Sequence, residues 1–378
     1  MISVAASGLP PASPSPTATE MIATPLIDRR AFLRSAGLAF VAGLAPRAAF
    51  ALERTDAVYA SGLKRADGSF AIGLVSEAGT LIDEIALPGR VHGLCHSAAN
   101  GLSVAFARRP GTFAVIFDAK KSVEPRIIAA TEGRHYFGHG AFSPDGRLFY
   151  ASENDFDANA GVIGIYNCIS GFERVGEVPA HGIGTHDITV TSDGLLVIAN
   201  GGIETHPDFG RTKLNLDHME PSLVLADART GALIEKHTLP PELRQLSTRH
   251  LDVAADGRIW FACQYEGPRT DRPPLVGHFA KGVPVSYVQL PDDTTDRLGN
   301  YVGAIAVNRA QGLVGIASPK NGLWAVLDGK DGRLLSETTL PDAAGIAPSP
   351  KSFAVSSYRG DFLDRNTEIA WDQHIIRL

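Results

Sequence analysis

One hairpin recurs along the chain and restricts its fold more than any other feature. Its fullest copy is His139-Gly140-Ala141-Phe142-Ser143-Pro144-Asp145-Gly146-Arg147-Leu148-Phe149-Tyr150-Ala151-Ser152, two short apolar runs joined by an Asp-Gly turn and headed by a histidine. Asp-Gly accepts the left-handed backbone that a tight hairpin demands. Variants begin at His92, His186 and His250, and two further copies, from Gly303 and Ala344, keep the hairpin without the histidine. The hairpin therefore reads as scaffold and the histidine as an addition to four of its copies.

The histidine-headed copies start 47, 47 and 64 residues apart. After each hairpin comes a third strand, a turn rich in Asp, and an outer strand that often ends in Leu-Pro, as at Leu87-Pro88, Leu239-Pro240 and Leu340-Pro341. Repeats of about 40 to 50 residues with four strands apiece are the pattern of propeller blades. The expected fold is all-β, a seven-bladed β-propeller of four-stranded antiparallel blades. Six or eight blades are alternatives, because residues 56–88 and 344–378 each supply only about three clear strands. No helix of 3.6-residue periodicity is expected after the leader. A single propeller domain spans 52–378, and its 44% hydrophobic content is enough for a large core.

The leader, 1–51, is of another kind. Residues 1–20 are rich in Pro, Ser, Ala and Thr, a composition that resists folding. Arg29 and Arg30 then precede Phe32-Leu33, a weakly apolar run and an Ala-x-Ala site at Ala49-Phe50-Ala51. This reads as a twin-arginine export signal, which places the mature chain in the periplasm. The apolar run is too short for a permanent span.

Composition also excludes classes of function. A net charge of −6 gives no basic footprint for nucleic acid. Three cysteines, Cys95, Cys168 and Cys263, are too few for a disulfide framework and read as small buried apolar residues. Gly-x-Ser-x-Gly, His-Glu-x-x-His, Cys-x-x-Cys-His and phosphate-loop motifs do not occur.

In a blade the second strand returns antiparallel to the innermost one, so the head of the first and the tail of the second share a face. On that face the expected residues are His92, His139, His186 and His250; the strand tails Glu153, Asn154, Asn200, Gln264, Tyr265, Lys320 and Tyr358; and the arriving segments with Arg134 and Arg249. An insertion over 203–220, carrying His206, joins two strands there and is expected to act as a mobile lid. Neutral imidazoles suit transition metals, and four without a carboxylate point to iron or copper. Asp187 and Asp252 are candidates to orient the imidazoles. The polar residues around the ring are candidate ligand-binding groups.

The arginine leader, the hairpin at His139, Gly184-Thr185-His186-Asp187, the stretch Ala199-Asn200-Gly201-Gly202-Ile203-Glu204-Thr205-His206-Pro207 and Ser222-Leu223-Val224 together resemble a bacterial family catalogued as domain of unknown function 1513. The resemblance runs from about residue 28 to the C-terminus. It implies a WD40-like propeller encoded beside imelysin-like and cytochrome-like proteins of iron-uptake loci, and so a role in periplasmic iron handling with those proteins as partners; the chain itself is expected to be a monomer. Three other readings stay open: an oxygenase-like enzyme with four histidines on iron, a lactonase-like enzyme using Glu153, Asn154 and Asn200, and a metal-free docking platform for the uptake proteins.

Overall fold

The computed structural model describes residues 56–378 apart from 110, 121 and 211. Arg29, Arg30 and the rest of the leader lie outside the described residues. Among the described residues no helix is long and apolar enough to cross a membrane.

Seven four-stranded antiparallel sheets form the propeller. The innermost strands are Val91–His96, Arg134–Phe142, Thr185–Val190, Leu246–Val253, Ala304–Asn308, Ala343–Pro348 and Ala370–Arg377. The last of these resolves how the ring closes. Ala370–Arg377 pairs with Ala57–Lys64, so the C-terminal strand becomes the innermost strand of the N-terminal blade. The two three-strand ends thus account for a sixth blade of their own residues and a seventh shared between the termini.

The turns follow from short-range hydrogen bonding. Asp145 Oδ1 accepts from Ser143 Oγ at 2.6 Å and from the Arg147 amide at 3.1 Å, while Gly146 takes the left-handed conformation at φ 68°. Between blades run apolar seams. Phe106, Tyr136, Phe142, Phe149 and Phe172 fill one, and Tyr59, Phe362, Trp371 and Ala354 fill the seam at the closure. Each buried aromatic side chain there is worth about 1.5–3 kcal/mol.

Two expectations change. A helix does occur, Asp292–Leu298, buried through Thr294, Thr295 and Leu298 and stopped by left-handed Gly299; two turns are too short to display a periodic stripe. Arg134-His135-Tyr136 and Thr248-Arg249 belong to inner strands rather than to loops. They were hard to read as strand because the alternation breaks nearby, at bulges between Tyr136 and Gly140 and between Thr248 and His250.

Candidate metal centre and adjoining cavities

Those bulges recur where the histidines sit. Pairing shifts register between Val91 and Leu94 around His92, between Tyr136 and Gly140 around His139, and between Thr185 and Asp187 at His186. It also shifts just before His250, and between the partners of Ile375 and Trp371, around His374. A bulge leaves a residue out of the ladder and turns its side chain away from the regular alternation. In five successive blades that residue, or its neighbour, is a histidine facing the axis.

The five imidazoles form a closed ring. Centroid separations are 4.9 Å for His92–His139, 5.0 Å for His139–His186, 4.8 Å for His186–His250, 4.8 Å for His250–His374 and 4.8 Å for His92–His374. His374 does not stand out in the repeat pattern of the sequence. Its signal was available only once the terminal strand was assigned to the first blade, since no Asp-Gly hairpin follows it.

In the trios His92–His139–His186 and His139–His250–His374, the ligand nitrogens lie within 4.8 Å of one another. Two metal–imidazole bonds of about 2.1 Å span at most about 4.2 Å, so small ring movements bring either trio onto one ion. Burial holds the rings neutral. It pushes His139 down to about 3, and it pushes His92, His186, His250 and His374 far below their usual range, where neighbouring imidazoles and the guanidiniums of Arg108, beside His92 and His374, and Arg249, beside His186 and His250, add to the effect. Neutral imidazole is the metal-binding form. His92 Nδ1, His139 Nε2, His186 Nε2, both nitrogens of His250 and His374 Nε2 are buried with no hydrogen-bond partner among the described residues. Such atoms ordinarily find one.

Among the described residues, one carboxylate pairs with a histidine of the ring. Asp187 Oδ1 lies 3.3 Å from His139 Nδ1, and the same side chain accepts from the amides of Ile188 at 2.8 Å and Leu251 at 3.0 Å. It therefore orients the imidazole of the preceding blade, leaving His139 Nε2 toward the axis. Burial raises its carboxyl to about 7. Asp252 does something else. Its carboxylate accepts from the Val307 amide at 2.7 Å and Arg309 at 2.9 Å, tying two blades together.

The ring divides the channel. On the side of the Asp-Gly turns a cavity of about 660 Å³ is lined by His139, His250, His374, Asp187, Asp252, Arg309 and apolar residues such as Ile305 and Ile346. On the opposite side a cavity of about 320 Å³ is lined by His92, His186, Arg108, Arg109, Lys213, Arg249, Gln264, Tyr301 and Gln373.

The other expected residues disperse. Arg249 and Gln264 line the smaller cavity. Tyr265 and Lys320 line a neighbouring cleft with Glu266 and Arg269. Glu153 is spent inside its blade on Tyr166 at 2.7 Å and Arg174 at 2.8 Å. Asn200 bonds Thr185 at 2.6 Å and the Ala180 carbonyl at 3.0 Å, and Asn154 reaches the Thr205 carbonyl at 3.5 Å. The hydrogen bonds of these three side chains tie strands and loops to one another. Arg134 pairs with Asp155 and Glu177, each at 3.0 Å. His206 caps the short helical turn Pro207–Phe209, and Tyr358 packs beneath Arg90, 5.7 Å from its ring centre. The insertion itself is pinned by Asn215, which bonds the Glu204 amide at 2.8 Å and the Gly202 carbonyl at 3.0 Å.

The fold is shared widely. The chain is similar to Kuenenia stuttgartiensis hydrazine synthase, with 14% identity, a TM-score of 0.58 and coverage of 82% of this chain and 89% of that one. It is also similar to the Myceliophteria thermophila Cps50 (Swd1) beta-propeller domain, with 13% identity, a TM-score of 0.57 and coverage of 84% and 93%. Identities this low speak for the fold alone. No curated protein matches. The family model described as "Protein of unknown function (DUF1513)" matches residues 85–378, from the first blade's outer strand to the C-terminus, and the chain belongs to that family.

Proposed function

We propose that this protein is a metal-handling propeller whose axial histidine ring holds iron or copper. The observation that carries the reading is the convergence of five imidazoles with unpartnered buried nitrogens, four of the residues buried and His374 partly so, each from a different blade. A channel filled only for packing would be served by aliphatic residues, as at Ile305 and Ile346 on the two blades that lack a histidine. Six buried imidazole nitrogens have no protein partner, and leaving such a group unmatched costs about 1–3 kcal/mol apiece. Binding a metal offsets that cost. An all-imidazole set favours iron or copper over the hard cations that require oxygen ligands.

The test is metal titration of the folded, metal-stripped protein. Replacing His374 with Ala should leave the far-ultraviolet spectrum unchanged and weaken affinity for iron(II) or copper at least about tenfold, about 1.4 kcal/mol. Unaltered affinity would remove His374 from the site, and absence of binding by the wild type would leave a docking platform as the function.

The place of action is the periplasm, with uptake proteins of the imelysin-like and cytochrome-like kinds as partners; the leader supports this, since Arg29 and Arg30 precede a weakly apolar run. Replacing both with Lys should retain the protein in the cytoplasm. Undiminished recovery from the periplasm would refute the assigned route.

A further inference from the structure

The smaller cavity has a chemistry that a histidine ring by itself does not call for. Its floor is His92 and His186, and its wall carries four cationic side chains, Arg108, Arg109, Arg249 and Lys213, with no carboxylate among the lining residues. The acids behind the wall are shared. Glu266 meets Lys213 at 2.5 Å and Arg249 at 3.4 Å. Asp372 holds Arg90 with two bonds of 2.8 and 2.9 Å and leaves Arg108 at 3.7 Å. Arg249 is only 8% exposed, yet its Nε has no hydrogen-bond partner among the described residues, and neither does Arg108 Nη1.

Buried guanidinium groups are retained when matched by charge and hydrogen bonds. Here the match is incomplete, and the bulge that precedes His250 is what turns Arg249 out of the ladder. Gln264, Gln373 and Tyr301 complete a polar wall. A metal in the ring sharpens the imbalance, because neutral imidazoles bring no negative charge and Asp187 contacts the ring through His139 on the other side.

We propose that this cavity binds a compact multivalent oxyanion, a small polycarboxylate or a phosphate, clamped by Arg108 and Arg249 with an oxygen directed at the metal beside His92 and His186. Planar guanidinium forks recognise both ligand types through paired hydrogen bonds. Lys213 is delivered by the insertion, so the insertion supplies part of the anion's wall. The part of this proposal that involves the metal rests on the ring reading above, whereas anion binding by the four cations stands independently of it.

The experiment is calorimetric titration of the full mature protein, metal-free and metal-loaded, with citrate in one arm and inorganic phosphate in the other. The expected result is saturable binding of at least one anion to the metal-free protein, tightened by metal. Arg108→Gln, Arg249→Gln and the more exposed Lys213→Gln should each weaken it, the two arginine variants at least tenfold, with near-ultraviolet dichroism reporting that each remains folded. Preference between the arms identifies the source of the oxygens. If the wild type binds neither anion while still binding metal, or if the arginine variants bind as tightly as the wild type, the proposal is overturned and the ring reading survives. Anion binding lost in the variants but indifferent to metal, in a protein that binds no metal, would keep the oxyanion site and remove the ring reading.

Discussion

Gly138 shows how narrowly the ring is built. Its φ of 109° is one that side chains avoid, and a Cβ there would lie 2.7 Å from Cδ2 of His92. On the neighbouring strand a Cβ at Gly93 would lie 2.3 Å from the Gly138 carbonyl oxygen. Two inner strands thus approach closely at the point where their imidazoles meet. Gly68 is the natural control, since its φ is 86° with open space around it. Gly138→Ala should therefore destabilise the protein beyond the roughly 1–2 kcal/mol that a left-handed Ala costs alone, and it should weaken metal binding by displacing His92. Gly68→Ala should show only the backbone cost. Thermal melts of the two variants check the first point and metal titration the second; equal melting losses would mean that the strands yield and that the glycine is not needed for packing the ring.

The element that decides the assembly is Ala370–Arg377. It carries His374 into the ring, seats Trp371 against Phe362 with centroids 4.9 Å apart, and joins its Asp372 to Arg90 of the next blade. Arg377 adds a 2.6 Å pair to Glu77. Trp371→Ala should cost about 3–5 kcal/mol, the range for truncating a buried aromatic, and the loss should be seen as a lower denaturation midpoint with loosened protection of Ala57–Lys64 in hydrogen exchange. A change confined to local side-chain signals would show that closure does not depend on this seam. The same element marks where sequence reasoning stopped. The copies headed by His92, His139, His186 and His250 were legible because each precedes a hairpin with a turn signal. His374 has no following hairpin, because its partner strand lies at the other end of the chain. The bulges were likewise hidden: an extra residue in a strand leaves no compositional trace, although it is what aims each imidazole and Arg249.

At the scale of the molecule, the sevenfold repeat was readable from apolar runs, Asp-Gly turns and spacing, since these are local rules satisfied blade by blade. What was not readable was depth along the axis. Residues expected on one face separate into a ring inside the channel, a cationic cavity on one side of it, and structural groups such as Glu153 and Asn200 that complete hydrogen bonds within and between blades. Strand order supplies angular position around the axis, while height depends on bulges and on contacts such as that between Asp187 and His139. The account as a whole rests on those imidazoles sharing a metal, and X-ray absorption of the protein recovered after export reads this most directly. The expected spectrum is that of bound iron or copper with at least three imidazole nitrogens at about 2.0–2.2 Å, lost when His139, common to both trios, is replaced together with His374. Protein that binds neither metal, or a double variant whose metal keeps the same imidazole shell, would contradict it.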